Sequence, residues 1–283
     1  MGFSHGEVDF LRSLDGVVDF GHTLTLGRQS LRLPRAALEQ KLDADVWGDG
    51  FGESFLRHLG AETVDSLDAS DFEGATVLHD LNLPAPAQLL GRYSLVLDAG
   101  TVEHVFNVPE ALRTAMSLVR PGGHVVLMVP CNNNPGHGFY QFTPELVFRT
   151  LSASNGFTVV RCLLKEARGR WYLVADPASL GRRREFRTRR STYLYVVAER
   201  VSMAPIFAEW PQQSDYRRQW TGTSSSTATR RSTRLLARGG NVWRLARAAR
   251  ARMYPPDYRL CRDQFKVLDA PTGVRRDRRS PTR

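Results

Sequence analysis

Short, mostly apolar runs separated by polar stretches recur through the first two thirds of the chain. They are "TLTLG" at residues 23–27, "VDSLD" at 64–68, "ATVLH" at 75–79, "SLVLD" at 94–98 and "HVVLMV" at 124–129. Near-continuous apolar runs of this length are typical of strands that are buried on both faces of a parallel sheet. The pattern therefore predicts an α/β domain built around such a sheet.

The segment between the fourth and fifth runs gives the clearest helix prediction. In "NVPEALRTAMSLVRPGG", residues 107–123, apolar side chains recur at helical spacing, and Pro109 suits a first helical turn. Pro121 and the two glycines after it are expected to end the helix and turn the chain. A strand, a helix and a second strand in this order predict a right-handed crossover in a parallel sheet.

Further elements are predicted on both sides of this unit. After "TLTLG", the segments "LPRAALEQKL" and "GESFLRHLG" favour two helices, and "TPELVFRTLSAS" favours a helix that Thr143 caps. The segments "FTVVRCLL" and "STYLYVVAER" are rich in β-branched and aromatic residues, so both predict strands. "RWYLVADP" is a further candidate strand.

Positive charge is concentrated near the carboxyl end of the chain. The net charge is +10, but residues 214–283 contain 18 Lys and Arg against 5 Asp and Glu, which leaves residues 1–213 slightly acidic. Residues 221–234 have the composition of a disordered linker, and residues 241–254 favour a basic amphipathic helix. We therefore expect an α/β domain over 1–213 and a basic, partly disordered extension over 214–283.

The role of this extension stays open. Its arginines would attract an anionic partner, either nucleic acid or a lipid surface. Docking on another protein and a solvated segment without a role are the alternatives.

Cysteine usage and apolar run lengths limit the other classes of protein. The three cysteines are odd in number and far apart, so they predict neither a disulfide framework nor a metal site, and no metal is expected. No apolar run approaches the ~18 residues of a membrane span, and no basic start precedes an apolar core as in a secretory signal. A cytoplasmic protein is the expectation.

Residues 93–130, "YSLVLDAGTVEHVFNVPEALRTAMSLVRPGGHVVLMVP", resemble the Rossmann-like (class I) S-adenosylmethionine-dependent methyltransferases. In that family a strand, a short loop, "leHv", a helix, "LkPGG" and another strand follow in the same order. Residues 65–84 look like the two preceding strands, and the resemblance covers about residues 20–200. It implies a Rossmann-like three-layer sandwich, a mostly parallel sheet with a late antiparallel strand, and S-adenosylmethionine as the cofactor.

The resemblance also assigns cofactor-binding residues to the ends of the strands. Asp68 matches the carboxylate that accepts hydrogen bonds from the two ribose hydroxyls, and Asp80 matches the contact to the adenine amine. Asp98 and Gly100 match the segment that lines the methionine end and the substrate. Each aspartate also has a local alternative, because Asp68 suits a cap, Asp80 a turn and Asp98 an ordinary loop.

Two departures from the family pattern affect the cofactor site. The family's first loop has several glycines after an acidic residue, whereas "TLTLGRQSL" keeps only Gly27, with Arg28 and Gln29 where further glycines usually stand. These two side chains either reach the methionine carboxylate or fill the pocket. "VVDFG" at residues 17–21 is an alternative first strand. The six residues between Asp68 and Ala75 are too few for the usual crossover helix.

The resemblance implies methyl transfer to a small molecule, on a hydroxyl or an amine of a sugar or a secondary metabolite. A hydroxyl acceptor needs a nearby base, and the candidates are His137 and Tyr140 in "CNNNPGHGFYQ", together with His104. His137 packed in a loop, and Glu103 with His104 as a helix-start pair, are the structural alternatives. The glycine-poor loop favours the alternative function, a non-catalytic binding or regulatory protein on the same fold. A nicotinamide dehydrogenase is disfavoured, because no G-x-G-x-x-G follows a predicted strand.

Overall fold

The computed structural model describes residues 2–167, 169–180, 186, 188–222, 264–268 and 270–271. Its strands are β1 Gly2–Phe3, β2 His22–Leu26, β3 Ser30–Leu31, β4 Thr63–Asp68, β5 Val77–Leu78, β6 Tyr93–Asp98, β7 Val119–Asn132, β8 Phe157–Glu166, β9 Trp171–Val174, β10 Thr192–Arg200 and β11 Phe265–Leu268. Its helices are α1 His5–Arg12, α2 Arg35–Leu42, α3 Glu53–His58, α4 Val108–Leu118, α5 Pro144–Thr150 and α6 Ser214–Trp220.

Nine of the described strands form one sheet, in the order β11-β9-β8-β10-β7-β6-β2-β4-β5, and β1 pairs with β3 separately. The strands from β5 to β7 run parallel. β10 is antiparallel to both of its neighbours, β7 and β8, and β9 and β11 extend the antiparallel part. This order confirms the predicted Rossmann-like α/β sheet with a late antiparallel strand.

Alternate residues of the central strands belong to two separate hydrophobic cores, one on each face of the sheet. On β6, Val96 joins the core that contains α4 and α5 residues, whereas Leu95 and Leu97 join the core that contains α1, α2 and α3 residues. All six residues of β6 are buried. Each fully buried aliphatic side chain contributes roughly 1.5–3 kcal/mol, so both faces of the sheet need a covering layer. The result is the predicted three-layer sandwich.

The first strand of the nine-stranded sheet is β2, which contains "TLTL" as predicted, and residues 17–21 do not form a strand. From β2 the chain passes to β4 and β5 on one side, and then returns to β6 and β7 on the other. The strand order therefore reverses between β2 and β6. In open α/β sheets, ligands bind outside the carboxyl ends of the strands at such a reversal.

Helix α4 ends earlier than predicted. It stops at Leu118, and Val119 is already extended (ψ 135°), so residues 121–123 belong to the start of β7, where the register with β6 shifts. The residue before a proline disfavours helical backbone, which places the end before Pro121. The buried Arg200 donates to the carbonyls of Met116, Ser117 and Val119, which are left without helical partners at this end.

The connection between β4 and β5 contains no helix, as its length predicts. Residues 69–76 form bends and turns, and β5 has only two residues. The Thr76 hydroxyl accepts from Ser66 N at 2.9 Å, and the Ser66 hydroxyl accepts from Thr76 N at 3.2 Å. Side-chain hydrogen bonds thus replace part of the ladder that a longer edge strand would make.

Most of the basic extension lies outside the described residues, including the amphipathic helix predicted over 241–254 and Cys261. Within it the structure describes α6 and β11, and β11 pairs with β9 at the edge of the main sheet. The division of the chain at residue 214 stays a prediction. Cys131 and Cys162 are buried free thiols, and burial raises the pKa of Cys131 to about 12. None of the described helices has the length and apolar character needed to cross a membrane.

Candidate active site

A cavity of about 480 Å³ opens at the carboxyl end of β6, beside the reversal of strand order. It is lined by Gly2, Ser4, Glu7, Arg32, Ala99, Gly100, Glu103, His104, Met128, His137 and Tyr193. Gly100 has a φ of 96°, which favours glycine and turns the chain out of the strand. The structure thus brings three of the predicted site residues together here: Gly100, His104 and His137.

Glu103 is the most deeply buried polar residue of this cavity. Its side chain has no exposed surface, and Oε1 lies 3.2 Å from His137 Nε2. Within the described part of the chain, Oε2 is buried without a hydrogen-bond partner. Burial raises the pKa of Glu103 to about 7. The interpretation of Glu103 as part of a helix-start pair missed this role, because adjacency to His104 says nothing about burial.

The loop after β7 positions His137 over Glu103. The backbone N–H groups of Phe139 and Tyr140 both donate to the Glu103 carbonyl, at 2.8 and 3.3 Å. A Cβ on Gly138 would lie 2.7 Å from that same carbonyl oxygen, so only glycine allows this approach. "GHGFY" therefore supplies both the imidazole and the close backbone contact that holds it.

Tyr140 and His104 lie at the outer part of the site. The Tyr140 hydroxyl donates to the Phe106 carbonyl at 2.8 Å, and Tyr140 is not among the residues that line the cavity. His104 is exposed, and its ring centroid lies 5.2 Å from that of His137. Partial burial and the neighbouring His137 lower the pKa of His104.

Asp98 is the last residue of β6 and is not among the residues that line the cavity, although the next two residues are. It is fully buried, Oδ1 accepts from Thr101 N at 2.9 Å, and Oδ2 has no hydrogen-bond partner among the residues that the structure describes. Burial, and then the proximity of Glu103, raise the pKa of Asp98 well above its ordinary value. The Thr101 hydroxyl donates to the Leu26 carbonyl at 2.6 Å, which ties the end of β6 to the end of β2.

The end of β2 is occupied by the two residues that replace glycines. Gln29 is 2% exposed, and its amide nitrogen donates to the carbonyls of Leu26 and Gly27. Arg28 reaches over the loop after β4, and its guanidinium carbon lies 3.9 Å from the centre of the Phe51 ring. Its hydrogen-bond partners are Asp49 Oδ2 at 2.6 Å, Glu53 Oε1 at 2.7 Å and the Glu73 carbonyl at 2.8 Å.

The other two predicted carboxylates follow β4 and β5. Asp68 is half-buried, and its Oδ1 accepts from Ser70 N at 3.2 Å. Asp80 Oδ1 accepts from both the backbone and the side-chain nitrogen of Asn82, at 2.8 Å each. These two bonds lower the pKa of Asp80. Asp80 therefore forms the turn that the sequence offered as an alternative to adenine contact.

S-adenosylmethionine fits part of this arrangement. Asp68 offers a carboxylate for the ribose hydroxyls, and the unpartnered Oδ2 of Asp98 offers an acceptor for the amino group of the methionine end. In contrast, the Leu26 carbonyl already accepts two hydrogen bonds, and Arg28 is bound to two carboxylates. Arg28 thus has other partners than a methionine carboxylate.

The opposite wall of the cavity comes from the amino-terminal segment, which the sequence interpretation left without a role. Ser4 caps α1, its backbone and hydroxyl both donate to Glu7 Oε2, and Tyr195 donates to Glu7 Oε1. The S-x-x-E spacing of a capping box could have revealed this helix. For Arg32, which also lines the cavity, the sequence has no comparable signal.

No protein-family model matches the chain, and no curated protein matches it in sequence. Solved structures match about two thirds of it. An S-adenosylmethionine-dependent methyltransferase from Mesorhizobium loti is 17% identical, with 67% of this chain and 95% of that one covered and a TM-score of 0.40. A 1,6-didemethyltoxoflavin-N1-methyltransferase from Burkholderia thailandensis is 15% identical, with 68% and 79% covered and a TM-score of 0.39.

Proposed function

We propose that this protein transfers a methyl group from S-adenosylmethionine to a small molecule bound in the cavity. The observation that supports this most directly is the position of the cavity, at the carboxyl end of β6 and beside the reversal between β2 and β6. Open α/β sheets bind their ligands at this place. The segment "EHV…RPGG" that resembles the methyltransferases contributes two cavity residues, Glu103 and His104.

In this proposal the cofactor lies across the ends of β2, β4 and β6. Asp68 accepts hydrogen bonds from the ribose hydroxyls, and Asp98 Oδ2 accepts one from the amino group. Gly27 and Gly100, with φ of 70° and 96°, let the backbone approach the ligand. Asp80 contacts the adenine amine only through Oδ2, because Oδ1 is bound to Asn82. When bound, the cofactor supplies an electrophilic methyl group, and the protein aligns it with the acceptor.

The acceptor is a hydroxyl or an amine in the cavity, close to His137 and His104. Both imidazoles border the cavity, and the Glu103 carboxylate holds His137 in place at 3.2 Å. Groups that withdraw the acceptor's proton as the methyl group arrives lower the barrier for a hydroxyl. Tyr140 has a supporting place, because its hydroxyl fixes the loop through the Phe106 carbonyl.

A second candidate function, ligand binding without catalysis, is favoured by one observation. Gln29 and Arg28 occupy the end of β2, where the family has glycines, and both are bound to other groups of this chain. If they do not move, the methionine end of the cofactor has no place beside Gly27. The two candidates therefore differ in whether the full chain binds the cofactor at all.

Calorimetric titration of the full chain with S-adenosylhomocysteine separates the two candidates. We expect one site per chain, and we expect Asp68→Asn to weaken binding by about tenfold or more, because a hydrogen bond to a charged carboxylate is lost. Asp71→Asn is the matched control, since it neutralises an exposed carboxylate in the same loop. A folded wild-type chain that binds no S-adenosylhomocysteine would exclude the methyltransferase and support the second candidate.

A further inference from the structure

Three potential metal ligands meet at the edge of the cavity. Glu103 and His104 come from the short turn Val102–His104, and His137 comes from the loop after β7. One ligand atom of each residue lies within 4.8 Å of those of the other two. His137 Nε2 and Glu103 Oε1 are only 3.2 Å apart.

One of these separations is close to that between two ligands of a zinc site. Zn²⁺ binds nitrogen and oxygen ligands at about 2.1 Å, so two ligands of a tetrahedral site lie roughly 3.4 Å apart. The pair formed by Glu103 and His137 already has this spacing. His104 is exposed, so its ring can turn toward the pair without disturbing the core.

Glu103 provides an independent observation. Its Oε2 is buried and has no hydrogen-bond partner in the part of the chain that the structure describes. Leaving a buried carboxylate oxygen unpaired is costly, and a bound cation would remove that cost. No lysine or arginine pairs with Glu103 among the described residues, and the ion pair that it makes there is with His137.

We propose that Glu103, His104 and His137 bind one divalent metal ion of the zinc type, with a remaining coordination position open to the cavity. Two histidines and one glutamate form one of the ligand sets of catalytic zinc, which keeps a position for water or substrate. Here that position faces a space of about 480 Å³. On the proposed function, the acceptor's oxygen occupies this position, and the ion stabilises its negative charge.

The competing arrangement has no metal, and Glu103 simply holds His137 by a hydrogen bond. Metal binding decides between them and requires no acceptor. The full chain, without an affinity tag and stripped with a chelator, is titrated with Zn²⁺ by calorimetry and with Co²⁺ by visible absorption. We expect one ion per chain, with a Co²⁺ spectrum of a four-coordinate site.

Two variants and one control locate the ion. His104→Gln and Glu103→Gln should each weaken Zn²⁺ binding by ~10-fold or more, in line with perturbed metal sites. His58→Gln, which changes an exposed histidine on α3, should bind like the wild type. His104 is exposed, so its variant is expected to fold even if Glu103→Gln does not.

The absence of a one-to-one Zn²⁺ complex in the wild type would overturn the metal site, and so would unchanged affinity in His104→Gln. The parallel titration with S-adenosylhomocysteine keeps the two proposals apart. A chain that binds S-adenosylhomocysteine but no Zn²⁺ retains the proposed function and loses the metal. A chain that binds Zn²⁺ alone keeps the metal site and loses the methyltransferase.

Discussion

At the carboxyl edge of the sheet, the carboxyl groups on the two sides of the reversal differ in their charged partners and in the direction of their pKa shifts. On the β2 side, Arg28 pairs with Asp49 and Glu53. Although burial opposes it, hydrogen bonds from Phe51 N–H and Arg28 lower the pKa of Asp49. On the β6 side, Asp98 and Glu103 have no such cation among the described residues, and burial raises the pKa of both.

The two sides differ in whether a lysine or arginine of the described residues pairs with their carboxyl groups. Arg28 supplies the β2 side with a cation from the chain itself, although Glu53 Oε2 and Gln29 Oε1 have no hydrogen-bond partner among the described residues. The β6 side keeps two buried carboxyl groups close together, an arrangement that costs stability and is typical of functional sites. A bound cofactor amino group at Asp98, or a metal ion at Glu103, would favour the charged form of that carboxyl group.

Asp98→Asn should have the largest effect, which is on how the free energy of unfolding changes with pH. Because the folded pKa of Asp98 is raised, the folded chain keeps a proton that the unfolded chain releases above the ordinary pKa of an aspartate. Stability is therefore lost as the pH rises toward the folded pKa, by up to ~1.4 kcal/mol per pH unit from this group. In Asp98→Asn that loss should disappear, while the amide oxygen still accepts from Thr101 N.

Urea unfolding of the wild type and Asp98→Asn at several pH values between about 5 and 7 measures this contribution. The stability of the variant should fall less steeply than that of the wild type as the pH rises. Asp71→Asn, which changes an exposed carboxylate, should follow the wild type. Equal slopes for wild type and Asp98→Asn would mean that Asp98 is charged in the folded chain.

Removing the cation on the β2 side should have the next largest effect. Arg28→Met should lower the free energy of unfolding by about 2 kcal/mol, because it leaves Glu53, whose side chain is 18% exposed, without its partner. Arg35→Met is the matched control, since Arg35 also has two carboxylate partners but is exposed. Arg35→Met should leave the free energy of unfolding, measured by chemical denaturation, unchanged. Equal losses in both variants would mean that burial does not distinguish the two ion pairs.

The sequence predicted the sheet and part of the site. Apolar runs located the first strand at "TLTLG" and the central strands, because strands that are buried on both faces leave a strong local pattern. His137 lines the cavity, as its place in a loop that follows a strand suggested, and its role in the site stays a prediction. The helix boundary at Leu118 was not predicted, because a β extension before Pro121 depends on pairing with β6.

The environment of Glu103 could not be predicted from the sequence. Glu103 and His137 are 34 residues apart, and their contact depends on Gly138 passing against the Glu103 carbonyl. The expectation of no metal rested on cysteine spacing, which carries no information about an adjacent Glu-His pair and a distant histidine. Burial and long-range contact therefore account for the features that the sequence did not show.

Replacing Gln29 by glycine should make room for the cofactor at the end of β2. Gln29→Gly should cost about 1 kcal/mol, because a buried amide loses its bonds to Leu26 and Gly27. It should also tighten the binding of S-adenosylhomocysteine, since the amide no longer fills the end of β2. Gln29→Leu, which keeps most of the bulk, should lose similar stability without binding more tightly. Weaker binding in Gln29→Gly would show instead that Gln29 contacts the cofactor.

The smallest effect is expected at the wall of the cavity that the amino-terminal segment forms. The Ser4 hydroxyl caps α1, because it accepts from Gly6 N at 3.4 Å and donates to Glu7. Ser4→Ala removes this cap, so the free energy of unfolding should fall by about 0.5–1 kcal/mol. Ser4→Thr keeps a hydroxyl and should retain most of it. Calorimetry should give the same S-adenosylhomocysteine affinity for all three proteins, because Ser4 and Glu7 border the acceptor's side of the cavity. If Ser4→Ala alone loses affinity for S-adenosylhomocysteine, the amino-terminal segment contacts the cofactor, and the space left for the acceptor is smaller than proposed.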